Sequence, residues 1–265
     1  MISTAILLSA GYGSRLKPLS DLLPKCLMPV GGRVPVLGFW INRLEEAGVE
    51  RIFINTHYLG DLVEDYVTQL RSRVSADLIL THETTLLGSM GSIRSIVTNY
   101  GISEAVVLHC DNYTGFDLAE ILEPRLGYPV AIVGFYSPTS DLVGRLVVDE
   151  NSRQIVDWIE KDPAAGPGWA SNAIYSFDKY ALAHIVKAEG FDLINEWLIP
   201  QCVRGGCWPA CIIYNHDGNI DIGTEAALRA AQRSVCSFDY QTYIPRLNTN
   251  GWAKNFFEIS LELES

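Results

Sequence analysis

Ala5-Ile6-Leu7-Leu8-Ser9-Ala10-Gly11-Tyr12-Gly13-Ser14-Arg15-Leu16-Lys17-Pro18-Leu19 opens the chain, and Pro24-Lys25-Cys26-Leu27-Met28-Pro29-Val30 follows soon after. The apolar run from Ala5 to Ala10 has strand length and reads as a buried, parallel strand. It ends in two glycines. Gly11 and Gly13 allow a tight turn whose backbone N–H groups face an anion. Arg15 offers a planar fork for phosphate oxygens, and Lys25 adds a compact charge ten residues later. The stretch therefore spells a phosphate site at the carboxyl end of a first strand.

Two better-known phosphate loops do not fit. The dinucleotide fingerprint needs a third glycine, and Leu16 stands there. It also needs an acidic residue ending the second strand, where Arg51 to Asn55 runs into Thr56 instead. The pattern G-x-x-x-x-G-K-[ST] occurs nowhere in the chain.

The 265 residues suffice for one large α/β domain or two small ones. A 48% apolar and 19% charged composition is that of a soluble globule. The net charge of −11 argues against DNA or RNA as the main partner. A nucleoside triphosphate would be repelled too, unless a divalent cation and a local basic patch compensate. No apolar stretch approaches membrane-spanning length, so a cytoplasmic protein without a membrane partner is expected. Cysteines 26, 110, 202, 207, 211 and 236 form no C-x-x-C pair, and buried free thiols are expected over a metal knuckle.

Further along, helical spacing over Val36 to Ala47 and Leu59 to Leu70 alternates with strands at Arg51 to Asn55 and Asp77 to Leu80. Such alternation means a layered α/β fold with a mostly parallel sheet. Ser89 or Ser92 is a candidate cap for a helix running to Tyr100. Ala105 to Asn112 is another buried strand, carrying Asp111 near its carboxyl end, where open sheets take ligands. Val130 to Phe135 is a strand, and Arg145 to Glu150 with Gln154 to Trp158 reads as a hairpin. Helical patterns at Lys179 to Ala188 and Leu193 to Val203 precede a strand at Cys211 to Asn215, and a last helix covers Ala226 to Val235.

The opening motifs resemble those of the sugar-1-phosphate nucleotidyltransferases, L-A-A-G-x-G-T-R-L-x-P-L-T followed by P-K-x-L-x-P-V. The resemblance spans residues 2 to 235. It implies a Rossmann-like three-layer α/β sandwich of GT-A type, with a nucleotidyltransferase domain over 1–235. Residues 236–265 are then an extension whose Trp252, Phe256 and Phe257 pack on the domain or on a second subunit. Within the family, Ser9, Ala10, Gly11, Gly13, Ser14, Arg15 and Lys25 bind nucleotide. The loop E-x-x-x-L-G-T-A-G-A-I lies against the base, and Glu83 and Gly88 match it. Asp111 matches the first magnesium carboxylate, although Cys110 replaces the usual glycine. Asp221, in Asn219-Ile220-Asp221-Ile222-Gly223-Thr224, matches the second. Gly144, Glu160 and Lys161 match the sugar-phosphate pocket, with Asp162 inserted before Pro163. The family's N-A-G-I-Y becomes Ser171-Asn172-Ala173-Ile174-Tyr175, which leaves the sugar contact open between Ser171 and Asn172.

By this resemblance, the chain joins a nucleoside triphosphate to a sugar 1-phosphate and releases pyrophosphate. Arg15, Lys25 and Asp111 are the expected catalytic residues, with magnesium on Asp111 and Asp221. Parallel strands would bring those two carboxylates to one sheet edge. So close together they repel unless a cation stands between them, a role that the resemblance gives to magnesium. Asn55 to Leu59 and Leu86 to Gly88 look more like guanylyl- and uridylyl-transferring relatives of the mannose, heptose and N-acetylmuramate type than like thymidylyltransferases. GTP with a manno- or heptose-type sugar is favoured over UTP, CTP or dTTP with another acceptor. A nucleotide-sugar-binding regulatory subunit is the other class, and the intact Arg15, Lys25, Asp111 and Asp221 speak against it.

Overall fold

Strand β1 (Thr4–Leu8) takes up the opening apolar run and stops one residue before Ser9. The computed structural model describes residues 1–31, 33–124, 127–140, 143–204, 208–234, 242–245 and 251–264. After β1 come α1 (Leu19–Leu22), the antiparallel pair β2 (Pro29–Val30) and β3 (Val34–Pro35), and α2 (Val36–Glu46). The alternation then runs β4 (Arg51–Thr56), α3 (Gly60–Leu70), β5 (Asp77–His82), α4 (Gly88–Tyr100) and β6 (Ala105–His109). Next are β7 (Asn112–Tyr113), α5 (Ala119–Leu122), β8 (Val130–Ser137), β9 (Gly144–Asp149), β10 (Gln154–Glu160) and β11 (Gly168–Phe177). The chain continues with α6 (Lys179–Lys187), a π-helical segment (Ile194–Arg204), β12 (Ala210–Asn215), β13 (Ile220–Asp221), α7 (Glu225–Arg233) and α8 (Trp252–Glu264). The helical spacing at 193–203 is thus wound as π-helix rather than α-helix, with Pro200 inside it. Proline gives no N–H to an α-helical ladder.

The chain divides into two compact units, one of Met1–Ile6, Leu87–Leu108 and Thr114–Asn219, the other of Leu7–Leu86, His109–Tyr113 and Ile220–Ser265. In the first unit the strand order is β6-β11-β8-β12-β10-β9. β8 and β12 pair in parallel, while β11 runs antiparallel to both β6 and β8. β9 and β10 form the expected hairpin, with Gly144 opposite Glu160. A turn this short can join only antiparallel neighbours, so the sheet is mixed. The helix from Gly88 has no side-chain cap, contrary to the expected serine. Ser89 Oγ accepts instead from Leu193 N, and Ser92 Oγ donates back to the Gly88 carbonyl.

In the second unit β4 and β5 pair in parallel from Arg51 opposite Asp77 to Thr56 opposite His82, and the last two residues of β1, Leu7 and Leu8, belong with them. Phe39, Trp40, Phe53, Tyr66, Trp252 and Phe256 are fully buried there. Burying such rings contributes roughly 2–3 kcal/mol each. Helix α8 therefore packs on its own unit. Trp252 Nε1 donates to Asp65 at 2.5 Å, and the Arg33 fork meets Glu264 at 2.7 and 2.6 Å. No helix among the described residues is long and apolar enough to cross a membrane.

Candidate active site

The second unit builds its site from the end of β1. Ser9 N donates to Asn55 Oδ1 at 2.6 Å, Ser9 Oγ donates to the Asn55 carbonyl at 2.5 Å, and Asn55 Nδ2 donates to Glu83 Oε1 at 2.8 Å. The buried Asn55 thus ties the start of the glycine loop to Glu83 across the ends of β4 and β5. The sequence reading gave Asn55 no such part. Its signal was an amide closing the apolar run Ile52-Phe53-Ile54.

Gly13 takes a left-handed φ of 63°, and a Cβ there would come within 3.3 Å of the Lys25 Cβ. Gly11 differs: a Cβ would meet nothing within 4 Å, so its smallness leaves open space. Beyond it, Tyr12 Oη lies 3.1 Å from His57 Nε2. His57 Nδ1 donates to the Glu83 carbonyl at 2.8 Å, and the ring nitrogen facing Tyr12 is then the acceptor in the neutral imidazole.

Lys25, Asp111, Asp221 and Arg15 converge. Lys25 Nζ is 2.7 Å from Asp111 Oδ2 and 3.2 Å from Asp221 Oδ1, and Arg15 Nη2 is 3.5 Å from Asp221 Oδ2. The means of bringing the carboxylates together differs from the expectation. Two-residue strands do it: β7 and β13 run antiparallel, with Asp221 opposite Asn112, and Ile222 N donates to the Asp111 carbonyl at 3.0 Å. Gly223 N donates to Asp221 Oδ1 at 2.8 Å. A Cβ on Gly223 would stand 2.5 Å from Arg15 Nη2, so a larger residue there would push the guanidinium off its present place beside Asp221. Thr224 then caps α7 by accepting from Ala227 N.

The expected repulsion between the carboxylates is met by a side chain of the chain itself. Lys25, with 12% of its side chain exposed, sits at both. Burial raises the pKa of Asp111, but the Lys25 ammonium, His109 and the hydrogen bonds to the carboxylate together outweigh it, so the carboxyl lies below its ordinary range and is ionised at neutral pH. Burial pushes the Cys110 thiol well up and the Cys26 thiol up to about 12, leaving both uncharged beside this cluster. Cys202 and Cys211 are buried free thiols, whereas Cys207 and Cys236 lie outside the described residues. Two carboxylates aimed at one cation form a hard-oxygen donor pair suited to a divalent ion whose other ligands are phosphate and water. Among the described residues no group of three or more His, Cys, Asp or Glu side chains could hold a metal alone.

The first unit gathers a second set of residues. Trp158 Nε1 donates to Glu160 Oε2 at 2.9 Å, and Lys161 Nζ lies 3.4 Å from Glu160 Oε1. A Cβ on Gly144 would strike Trp158 Nε1 and come 2.5 Å from Glu160 Oε2. Lys161 holds a φ of 47°, a conformation rare for a side chain of its size. The inserted Asp162 accepts from Ala164 N at 2.9 Å and so caps the following turn. Asn172 is fully buried and accepts from Asn215 Nδ2 at 3.3 Å. Ser171 is half-buried, 3.3 Å from Tyr175 Oη. Gly88 has a φ of 73° at the start of α4, where a Cβ would strike the Phe191 carbonyl.

Among proteins of known kind, this chain is 27% identical over 207 residues to a putative mannose-1-phosphate guanyltransferase of Sulfolobus acidocaldarius, covering 77% of this chain and 55% of that one. A shorter stretch of 61 residues is 44% identical to the N-acetylmuramate alpha-1-phosphate uridylyltransferase of Neisseria meningitidis, covering 23% of this chain and 26% of that one. The chain spans about half the length of the curated relatives it matches over most of its own length. The fold is similar to that of HddC from Yersinia pseudotuberculosis, solved with GMP-PN, at a TM-score of 0.72 and 23% identity over 87% of this chain and 98% of that one. The profile of the Nucleotidyl transferase family matches residues 4–237, so the chain belongs to that family, the sugar-1-phosphate nucleotidyltransferases that its motifs resemble.

Proposed function

We propose that the chain transfers a nucleoside monophosphate from a triphosphate, GTP by preference, to a manno- or heptose-type sugar 1-phosphate, releasing pyrophosphate. The observation that carries this reading is the meeting of Arg15 and Lys25 with Asp111 and Asp221 within one unit. A protein that only bound a nucleotide-sugar would need no second carboxylate there. The guanylyl preference rests on the relationship to the putative mannose-1-phosphate guanyltransferase.

In this reading a sugar phosphate oxygen attacks the α-phosphorus in line, the bond to the β-phosphate oxygen breaks, and no covalent enzyme intermediate forms. Catalysis is positioning plus charge neutralisation. The amides from Ser9 to Ser14 and the Arg15 guanidinium cradle the triphosphate. Lys25 neutralises charge developing at the α-phosphate. Glu83, fixed by Asn55, and Gly88 meet the base. Gly144, Glu160 and Lys161 take the sugar phosphate, with Lys161 supplying the charge. Ser171 rather than Asn172 touches the sugar in this reading, which the burial of Asn172 and the positive φ of Ala173, at the position matching the family's glycine, support. Magnesium held by Asp111 and Asp221 would neutralise and orient the triphosphate oxygens. The protein acts in the cytoplasm, without nucleic acid or membrane; a homo-oligomer through 236–265, the extension beyond the 1–235 domain, would use the face of α8 not packed on its own unit, where Leu261 is exposed.

The identity to the N-acetylmuramate uridylyltransferase favours a second reading, with UTP. Pyrophosphate release measured across four triphosphates and a panel of sugar 1-phosphates decides between them. Turnover with GTP and mannose or heptose 1-phosphate is expected. Faster turnover with UTP removes the guanylyl reading, and no release with any pair removes the reaction.

A further inference from the structure

Lys25 pairs with both of the carboxylates read as the metal ligands. Its Nζ makes contacts at 2.7 and 3.2 Å with one oxygen of Asp111 and one of Asp221. A magnesium-sized ion sits about 2.1 Å from each oxygen that it binds. An ion that takes those same two oxygens must compete for them with the ammonium. Two cations drawn to one pair of oxygens repel each other. Arg15 also faces Asp221, so two cations oppose two carboxylates and the cluster is neutral by itself.

We propose that Lys25 is an internal placeholder for the divalent ion, competing with it for Asp111 and Asp221 until a triphosphate draws the ammonium away. The inference rests on the reading of those two residues as the metal carboxylates. A bare divalent ion entering the neutral cluster must eject Lys25 into a region that keeps both positive charges. A metal–triphosphate complex brings its own negative charge, which gives the ejected ammonium a phosphate to face. Metal therefore binds weakly alone and enters with the nucleotide. The same motion carries Lys25 from the carboxylates to the phosphate, so one side chain keeps the apo site intact and then serves the reaction.

The test measures Mn2+ binding to the full chain by electron paramagnetic resonance, with no nucleotide present. Lys25→Met keeps all but the last atom of the side chain's length and removes its charge. It should tighten Mn2+ binding at least about tenfold, since a unit charge a few ångströms away is worth several kcal/mol at protein-surface dielectric. Lys25→Gln, a polar variant in case the methionine folds poorly, should tighten it as well. In chelator both variants should melt below the wild type, and Mn2+ should restore them more than it raises the wild type. Adding Asp221→Asn should abolish the gain. Equal or weaker Mn2+ binding by both variants overturns the proposal, as does a gain that survives Asp221→Asn. Turnover by Asp221→Asn alone separates the two levels. If that variant is inactive while Lys25→Met shows no gain, the placeholder falls and the reading of the carboxylates stands. If it turns over normally, both fall.

Discussion

Arg15, Lys25, Asp111 and Asp221 come from four stretches of chain and meet through their side chains, whereas Gly144, Glu160 and Lys161 lie within and just after one hairpin. In the second unit a long side chain links the parts, and charge balance sets its place. In the first unit the backbone does the work. Register puts Gly144 opposite Glu160, the indole of Trp158 holds the carboxylate, and a positive φ aims Lys161. A cluster made of side chains can rearrange by rotating them when a ligand arrives. A pocket made of register and backbone angles is set before any ligand comes. Substitutions in the first kind should change rate, and substitutions in the second should change binding.

The largest effect belongs to the carboxylates. Asp221→Asn keeps the shape and removes one charge, and turnover should fall by about a hundredfold or more, as for other preorganised electrostatic groups. Without Lys25 between the carboxylates, this variant would be expected to melt higher in chelator. With Lys25 paired to both, it should melt the same or slightly lower, by less than about 1 kcal/mol, because Asp221 is half exposed. A clear rise in melting temperature would show that the ammonium does not compensate the pair.

Next come the two lysines, which place the contrast on one footing. Lys25→Ala should lower kcat chiefly, since its charge is needed where negative charge develops. Lys161→Ala should raise KM for the sugar phosphate more than for the triphosphate. Steady-state kinetics with each substrate varied in turn read both, and exchanged phenotypes would mean that the two ends of the reaction are assigned backwards. Gly144→Ala should resemble Lys161→Ala and not Lys25→Ala. Its Cβ would press on Trp158 and Glu160, at a cost of about 1–3 kcal/mol for overpacking. A Gly144→Ala enzyme with unchanged KM for both substrates would break the claim that register sets this pocket.

The same contrast explains what could be read in the chain beforehand. The hairpin, the alternating strands and helices and the glycine loop were legible, because periodicity and turn residues are local signals. The residues around Asp111 and Asp221 were legible as motifs. Their route to each other was not, because strands of two residues such as β7 and β13 have no periodicity to show. Nor was the position of Lys25 legible, since the rotamer of a long cation depends on charges far away in sequence. Asn55 showed only as an amide ending an apolar strand, and its bonds to Ser9 and Glu83 exist only once the loop after β1 meets the ends of β4 and β5. Whether Ser171 or Asn172 turns inward was hidden by an irregularity: the β11–β8 register shifts between Ser171 and Tyr175, so simple alternation fails there.

That irregularity supplies the smallest effect. Ala173 lies within the shift and holds a φ of 53°. For an L-residue with a Cβ this left-handed region costs roughly 1–2 kcal/mol relative to the right-handed one. Glycine enters it freely but loses more entropy on folding, roughly 0.5–1 kcal/mol. The two terms oppose each other, and the first is larger. Ala173→Gly should therefore stabilise the protein by about 0.5–1 kcal/mol, a rise in melting temperature of about 1–4 °C for a chain of this size. Calorimetry on the two proteins side by side reads a shift of that order. A rise would support the alignment in which Ala173 stands at the family's glycine, and with it the choice of Ser171 for the sugar. A fall would mean that the backbone is relaxed at this position, and Asn172 would return as the candidate contact.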